Sequence, residues 1–197
     1  MGKRIRSVKR TCVREARKLF HTVMGPGPEH AACLYWTLFI CVVAREHGIR
    51  LIPQAGTAFW QRRPMADMSD VEDTHFGYEW DLHSDDVEKA TRGLVGETGW
   101  NQVMPEMHCW AANPNTREIV DLTTMYLPKQ AMACTGLTWE MPEPPLYVWG
   151  TQQKVEQALP GSLYQADRHA TTLAMTWMNE ALKDPAAQRL RDYRKKK

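Results

Sequence analysis

Residues Pro105–Asp121 read PEMHCWAANPNTREIVD. Two apolar runs flanking a short polar cluster are the pattern of a β-hairpin. Asn and Pro are turn formers, and four-residue connections are common in hairpins. A loop over Asn113–Thr116, NPNT, predicts strands over Met104–Ala112 and Arg117–Thr123. It sets Ala112 opposite Arg117, Trp110 opposite Ile119 and His108 opposite Asp121. Opposed residues share one face of a sheet, with Cβ atoms about 5 Å apart. The hairpin thus sets an imidazole beside a carboxylate. A slip of one residue would send one of the two to the other face.

Outward from the hairpin the chain alternates between helical and extended patterns. Ile5, Val8, Cys12, Ala16, Leu19 and Val23 recur at steps of three or four, which predicts a helix over about 4–23. GPGPE (Gly25–Glu29) ends it. A second helix is expected from near Pro28 to about His47, with Gly48 at its cap. It is apolar on nearly every side, so it belongs in the centre of the domain. Strands are expected at Arg50–Trp60, Thr74–Trp80 and Leu146–Trp149. A short helix is expected over Asp85–Val95, after Ser84 as its cap. The last third reads as helical, over Gln152–Leu159 and Leu163–Leu182, before a basic tail. This order predicts an α+β fold, an antiparallel sheet packed against a buried N-terminal helix with flanking helices at both ends. The whole chain, 1–197, fits a single domain: a core over about 25–150, the helix 4–23 and the C-terminal helices 152–184 packed on it, and a tail over 185–197.

Charge is unevenly spread. Residues 1–18 carry eight Lys/Arg against one Glu, a net +7, and residues 183–197 a net +5, so the remaining body is acidic at −10. Basic ends suit an acidic partner or nucleic acid; they equally suit docking on the acidic body or solubility. The longest apolar run, Ala31–Ala44, is too short to span a bilayer, and no signal peptide is recognised at the N-terminus. Five cysteines, an odd number with no zinc-ligand spacing, argue for reduced thiols in a soluble, cytoplasmic protein. No cofactor or metal is expected.

A carboxylate beside an imidazole fixes its tautomer and stabilises the imidazolium. Such a base suits a nucleophile, although a His–Asp pair that only supports the sheet is the plainer reading. Cys33 lies near the start of the buried helix, where backbone N–H groups favour thiolate. Cys41, two turns on, reads as core. Cys109 neighbours His108 but alternates to the opposite face, so a metal site from Cys33, His108 and Cys109 is disfavoured. Cys12 lies on the basic helix and Cys134 in a loop. Trp36, Trp60, Trp80, Trp100 and Trp110 offer either an apolar acyl-binding cleft or core.

Cys33 at a helix start, His108 on a strand and Asp121 on the next resemble the transglutaminase-like cysteine enzymes. Their order is shared with papain-like proteases and arylamine acetyltransferases. HCW followed by REIVDLT is similar to the His-x-Trp strand and Asp-plus-Thr strand of transglutaminase-like domains, and EHGIRLIPQAGTAFW resembles the stretch after their catalytic helix. The resemblance covers about residues 25–125. It implies a hydrolase or acyltransferase acting on an amide or thioester of a peptide, protein or small amide, with Cys33 as nucleophile, His108 as base and Asp121 orienting it. The alternative is a non-catalytic protein- or nucleic-acid-interaction module on the same fold.

Overall fold

The computed structural model describes residues 2–24, 32–64, 74–80 and 107–181. In chain order these form α1 (Gly2–Met24), α2 (Cys33–Glu46), β1 (Ile52–Gln61), β2 (His75–Tyr78), β3 (His108–Ala112), β4 (Ile119–Asp121), a 3-10 turn (Thr124–Tyr126), α3 (Leu127–Thr135), β5 (Val148–Gly150), α4 (Gln152–Ala158), β6 (Leu163–Ala166) and α5 (Arg168–Ala181). The fold is α+β, with one six-stranded antiparallel sheet.

Strand β1 is the hub. Its residues 52–56 pair with β3, 58–61 with β2 and 56–59 with β6. The sheet then continues from β3 through β4 to β5. Gly56 lies between His108 on β3 and Ala166 on β6. Its φ is 154°, and a Cβ there would run into the Gln165 carbonyl oxygen. Only glycine lets β6 approach this closely.

The two faces of the sheet hold different cores. Ala55, Cys109, Ala111 and Val120 meet α2 and α5, where their small side chains admit Leu34, Leu173, Ala174 and Trp177. Helix α1 packs on α2 through Cys12, Val13, Ala16, Leu19, Phe20 and Val23. Burial of each larger side chain in that stripe contributes roughly 1.5–3 kcal/mol. The opposite face carries Trp60, Trp110 and Ile119, packed on Leu127 and Ala131 of α3, Val155 and Leu159 of the α4 region, and Tyr164. By alternation His108 and Asp121 belong to this second face.

Three expectations need correction. The hairpin pairs Ala112 with Ile119 and Ala111 with Val120, not Ala112 with Arg117. Asn113 accepts from the backbone N–H groups of Asn115 and Thr116 through its side chain, and Arg117 takes a left-handed φ of 54°. These features lengthen the turn to Asn113–Glu118, closed by the Asn113 N–H on the Glu118 carbonyl at 2.8 Å. The register therefore moves by two residues, which preserves the face of every side chain. Second, α2 begins at Cys33, with Ala32, at φ −114° and ψ 29°, as its N-cap, rather than near Pro28, which lies outside the described residues. Third, Leu163–Ala166 is a strand rather than the start of a helix. The Asp167 carboxylate accepts from the N–H groups of His169 and Ala170 at 2.7 and 2.9 Å, so α5 starts only after it.

Helix α3 falls in a segment the sequence reading left without an element, and it places Cys134 on an exposed helix end rather than in a loop. The helix expected at Asp85–Val95, residues 104–106 of the first hairpin strand, Trp100 and the basic tail lie outside the described residues. Among the described residues no helix is long and apolar enough to cross a membrane.

Candidate active site

The first turn of α2 supplies the thiol. Its ladder opens with the Trp36 N–H on the Ala32 carbonyl at 3.0 Å, and no side chain caps the end. Cys33 is thus the first helical residue, and its own N–H precedes the ladder. A helix start of this kind carries partial positive charge.

Strand β3 supplies the imidazole and β4 the carboxylate. His108 is 0% exposed and Asp121 2%. His108 Nε2 lies 2.8 Å from Asp121 Oδ2. Continuing the observed register would set Asp121 opposite Trp110, so the His–Asp contact is diagonal across the two strands, within reach of these side chains. Asp121 Oδ1 accepts the backbone N–H of Thr123 at 2.8 Å and its hydroxyl at 2.6 Å. Tyr164 donates its hydroxyl to Oδ2 at 2.8 Å, and Trp60 donates its indole N–H to the Tyr164 oxygen at 3.1 Å. The imidazole sits in an aromatic box. Trp60 meets it edge-on at 5.0 Å, and Tyr78 and Trp110 stack with it at 5.8 and 6.2 Å.

With Nε2 engaged by Asp121, Nδ1 is the ring nitrogen left for Cys33. It is buried and makes no well-formed hydrogen bond among the described residues. The neighbouring Cys33 sulfur nevertheless raises the proton affinity of the ring. Contacts of this kind are often loose before substrate binds.

Burial opposes a charge on His108, but the Asp121 carboxylate, with help from Cys33, lifts the imidazole from 6.5 to about 10. Asp121 is likewise penalised by burial, yet His108 and Thr123 hold it below the ordinary carboxylate range. The Cys33 thiol is lowered well below 9.0, first by the Cys109 thiol donating to it, against burial, then by His108 and the Cys109 backbone N–H. Cys109 is pushed the other way by the same contact and by burial, and stays a thiol. The helix start and the imidazolium decide which of the two sulfurs carries the charge. Cys41 and Cys12 differ: burial pushes them up to about 12 and about 11.

The structure places Cys33 near His108, and His108 against Asp121. Cys109 faces the α2–α5 core, opposite to His108, yet its thiol reaches Cys33 because the helix start lies against the beginning of β3. Among the described residues no group of three His, Cys, Asp or Glu side chains is arranged to hold a metal. Trp36, Trp60 and Trp110 are core, each 1% exposed or less, and Trp80, partly buried, packs against the same core cluster as Cys33. A cleft of about 470 Å³ runs past Trp110, Tyr164, Gln54 and Arg117, but neither Cys33 nor His108 lines it. The sequence gives no sign of Tyr164 at the site, nor of the hydrogen bond that Trp60, expected only as cleft or core, makes to it. Asp167, a helix cap placed four residues into the supposed helix, was the signal that Tyr164 stood on a strand.

No family model matches the chain, and no curated protein or solved structure matches it either.

Proposed function

We propose that this chain is a cysteine-dependent hydrolase or acyltransferase of the transglutaminase-like kind, acting on an amide or thioester carried by a peptide, protein or small amide. The observation that carries this reading is the buried His108–Asp121 contact of 2.8 Å, with the other ring nitrogen left for a thiol at a helix start. A His–Asp pair serving only the sheet has no need of that thiol.

In this mechanism the Cys33 thiolate attacks the carbonyl carbon. The Cys33 N–H, outside the helical ladder, stabilises the oxyanion that forms. The His108 imidazolium protonates the departing amine or thiol, and the C–N or C–S bond breaks to leave a thioester on Cys33. Neutral His108 then takes a proton from water or an acceptor amine, which attacks the thioester and releases the thiolate. Asp121 holds the imidazole and balances its charge throughout. Five unbridged cysteines support work in a reducing compartment, the cytoplasm.

A generic acyl donor tests this. With p-nitrophenyl acetate, we expect acetylation of Cys33 ahead of the other cysteines, read by peptide mass spectrometry. The initial release of nitrophenolate should be lost in Cys33→Ala and strongly slowed in His108→Ala. Equal acetylation of several cysteines, or none at Cys33, would refute the reading.

The second reading, an interaction module for an acidic protein or nucleic acid, is favoured by Arg6, Arg10 and Arg14. They stand exposed at one-turn spacing on α1. Retention on heparin that drops in a triple Arg→Ala variant would support it; unchanged retention would remove it.

A further inference from the structure

We infer that Tyr164 is a positioning residue of this site: its hydroxyl, held by Trp60, locks the Asp121 carboxylate and moderates its pull on His108. The inference rests on the proposed triad and extends it to β6, a strand that joins the sheet only in the tertiary fold.

Hydrogen-bond chemistry fixes where each proton lies. The Trp60 indole nitrogen can only donate, so at 3.1 Å it must give its proton to the Tyr164 oxygen. An ionised carboxylate can only accept, so the phenol proton goes to Asp121 Oδ2 at 2.8 Å. Asp121 thus receives two donors on Oδ1, both from Thr123, and two on Oδ2, from His108 and Tyr164. Its four strong acceptor positions are filled, and the carboxylate has no freedom to rotate away from the imidazole. Burial and the neighbouring carboxylate hold the phenol well above its ordinary range, so it remains a donor across the working pH.

The same bond has an electrostatic consequence. Tyr164 and His108 share one oxygen, so every fraction of negative charge the phenol proton neutralises is withdrawn from the imidazolium. An imidazolium bound too tightly is a poor acid for a leaving group, because efficient proton transfer needs a proton affinity near the working pH. The groups facing His108 are Asp121 on β4, Tyr164 on β6, Tyr78 on β2, the Cys33 thiol on α2 and, next to it in its own strand, Cys109. Tyr164 is the neutral donor on the Asp121 oxygen that it shares with His108.

The test follows His108 by ¹⁵N NMR through a pH titration of the full chain in a Cys33→Ala background, which removes the coupled thiol. In Tyr164→Phe the imidazole should titrate at higher pH than in the parent, by about half a pH unit or more. 3-Fluorotyrosine at position 164, a stronger donor of nearly the same shape, should move it lower. Opposite shifts would support the inference; no shift in either protein, or shifts of the same sign, would overturn it. If Tyr164→Phe fails to fold, the fluorinated protein decides alone: a downward shift supports the inference, and no shift or an upward one overturns it. The titration needs no reactive Cys33, so its failure is distinct from failure of the acetylation test above.

Discussion

Replacing Asp121 by Asn removes one charge and keeps the shape of the side chain. The carboxylate overcomes the burial penalty on His108 and accounts for most of its rise from 6.5 to about 10. Such a rise corresponds to roughly 5 kcal/mol between the two protonation states. Breaking a buried pair typically costs about 3–5 kcal/mol, so the two figures agree. The sign follows from linkage. A group whose proton is held more tightly in the folded state contributes stability in full below its unfolded value of 6.5, and that contribution is lost as pH rises through about 10. Asp121→Asn should therefore be less stable than the parent by about 3–5 kcal/mol at pH 6. The gap should narrow steadily and be mostly gone by about pH 10.5. Urea unfolding at pH 6, 8 and 10.5, with both proteins followed by tryptophan fluorescence, measures it. A gap that stays constant across this range would show that Asp121 supports the fold without holding a proton on His108, and the electrostatic account of the site would fall.

Three further outcomes follow from the same geometry. At pH 7 iodoacetamide should modify Cys33 far faster than Cys41 or Cys12, whose thiols are pushed up to about 12 and about 11, and peptide mapping will rank them; equal rates would contradict the thiolate assignment. Cys109→Ala removes the sulfur donor to Cys33, so the pH midpoint for Cys33 alkylation should move upward and the rate at pH 6 should fall several-fold, while an unchanged profile would assign Cys109 to packing alone. Gly56→Ala sets a methyl against the Gln165 carbonyl at a left-handed φ; about 1–3 kcal/mol of destabilisation is expected, together with faster hydrogen exchange at β6, and a melting temperature equal to the parent's would refute the close-approach argument.

The sequence by itself determined the parts of this protein that depend on period and composition. The stripe from Ile5 to Val23 marked α1, the apolar run from Ala31 to Ala44 marked α2, and alternation in HCWAA and IVD put His108 and Asp121 on one face. Parity is a local property, which is why the face survived a register that was wrong by two residues. The register itself came from the Asn113 side chain and the left-handed Arg117, choices the turn makes only when both strands are in place. The start of α2 at Cys33, and with it the place of that N–H ahead of the helical ladder, was not legible either, since Pro28 is as good a first-turn residue as any. Only the tertiary structure decided that Leu163–Ala166 is a strand. The edge of β1 offered hydrogen bonds that outweighed the helical stripe, and Gly56 left room to form them. That choice brought Tyr164 to a carboxylate 43 residues away along the chain. Contacts of that range depend on how sheet edges are filled, and no local pattern encodes them.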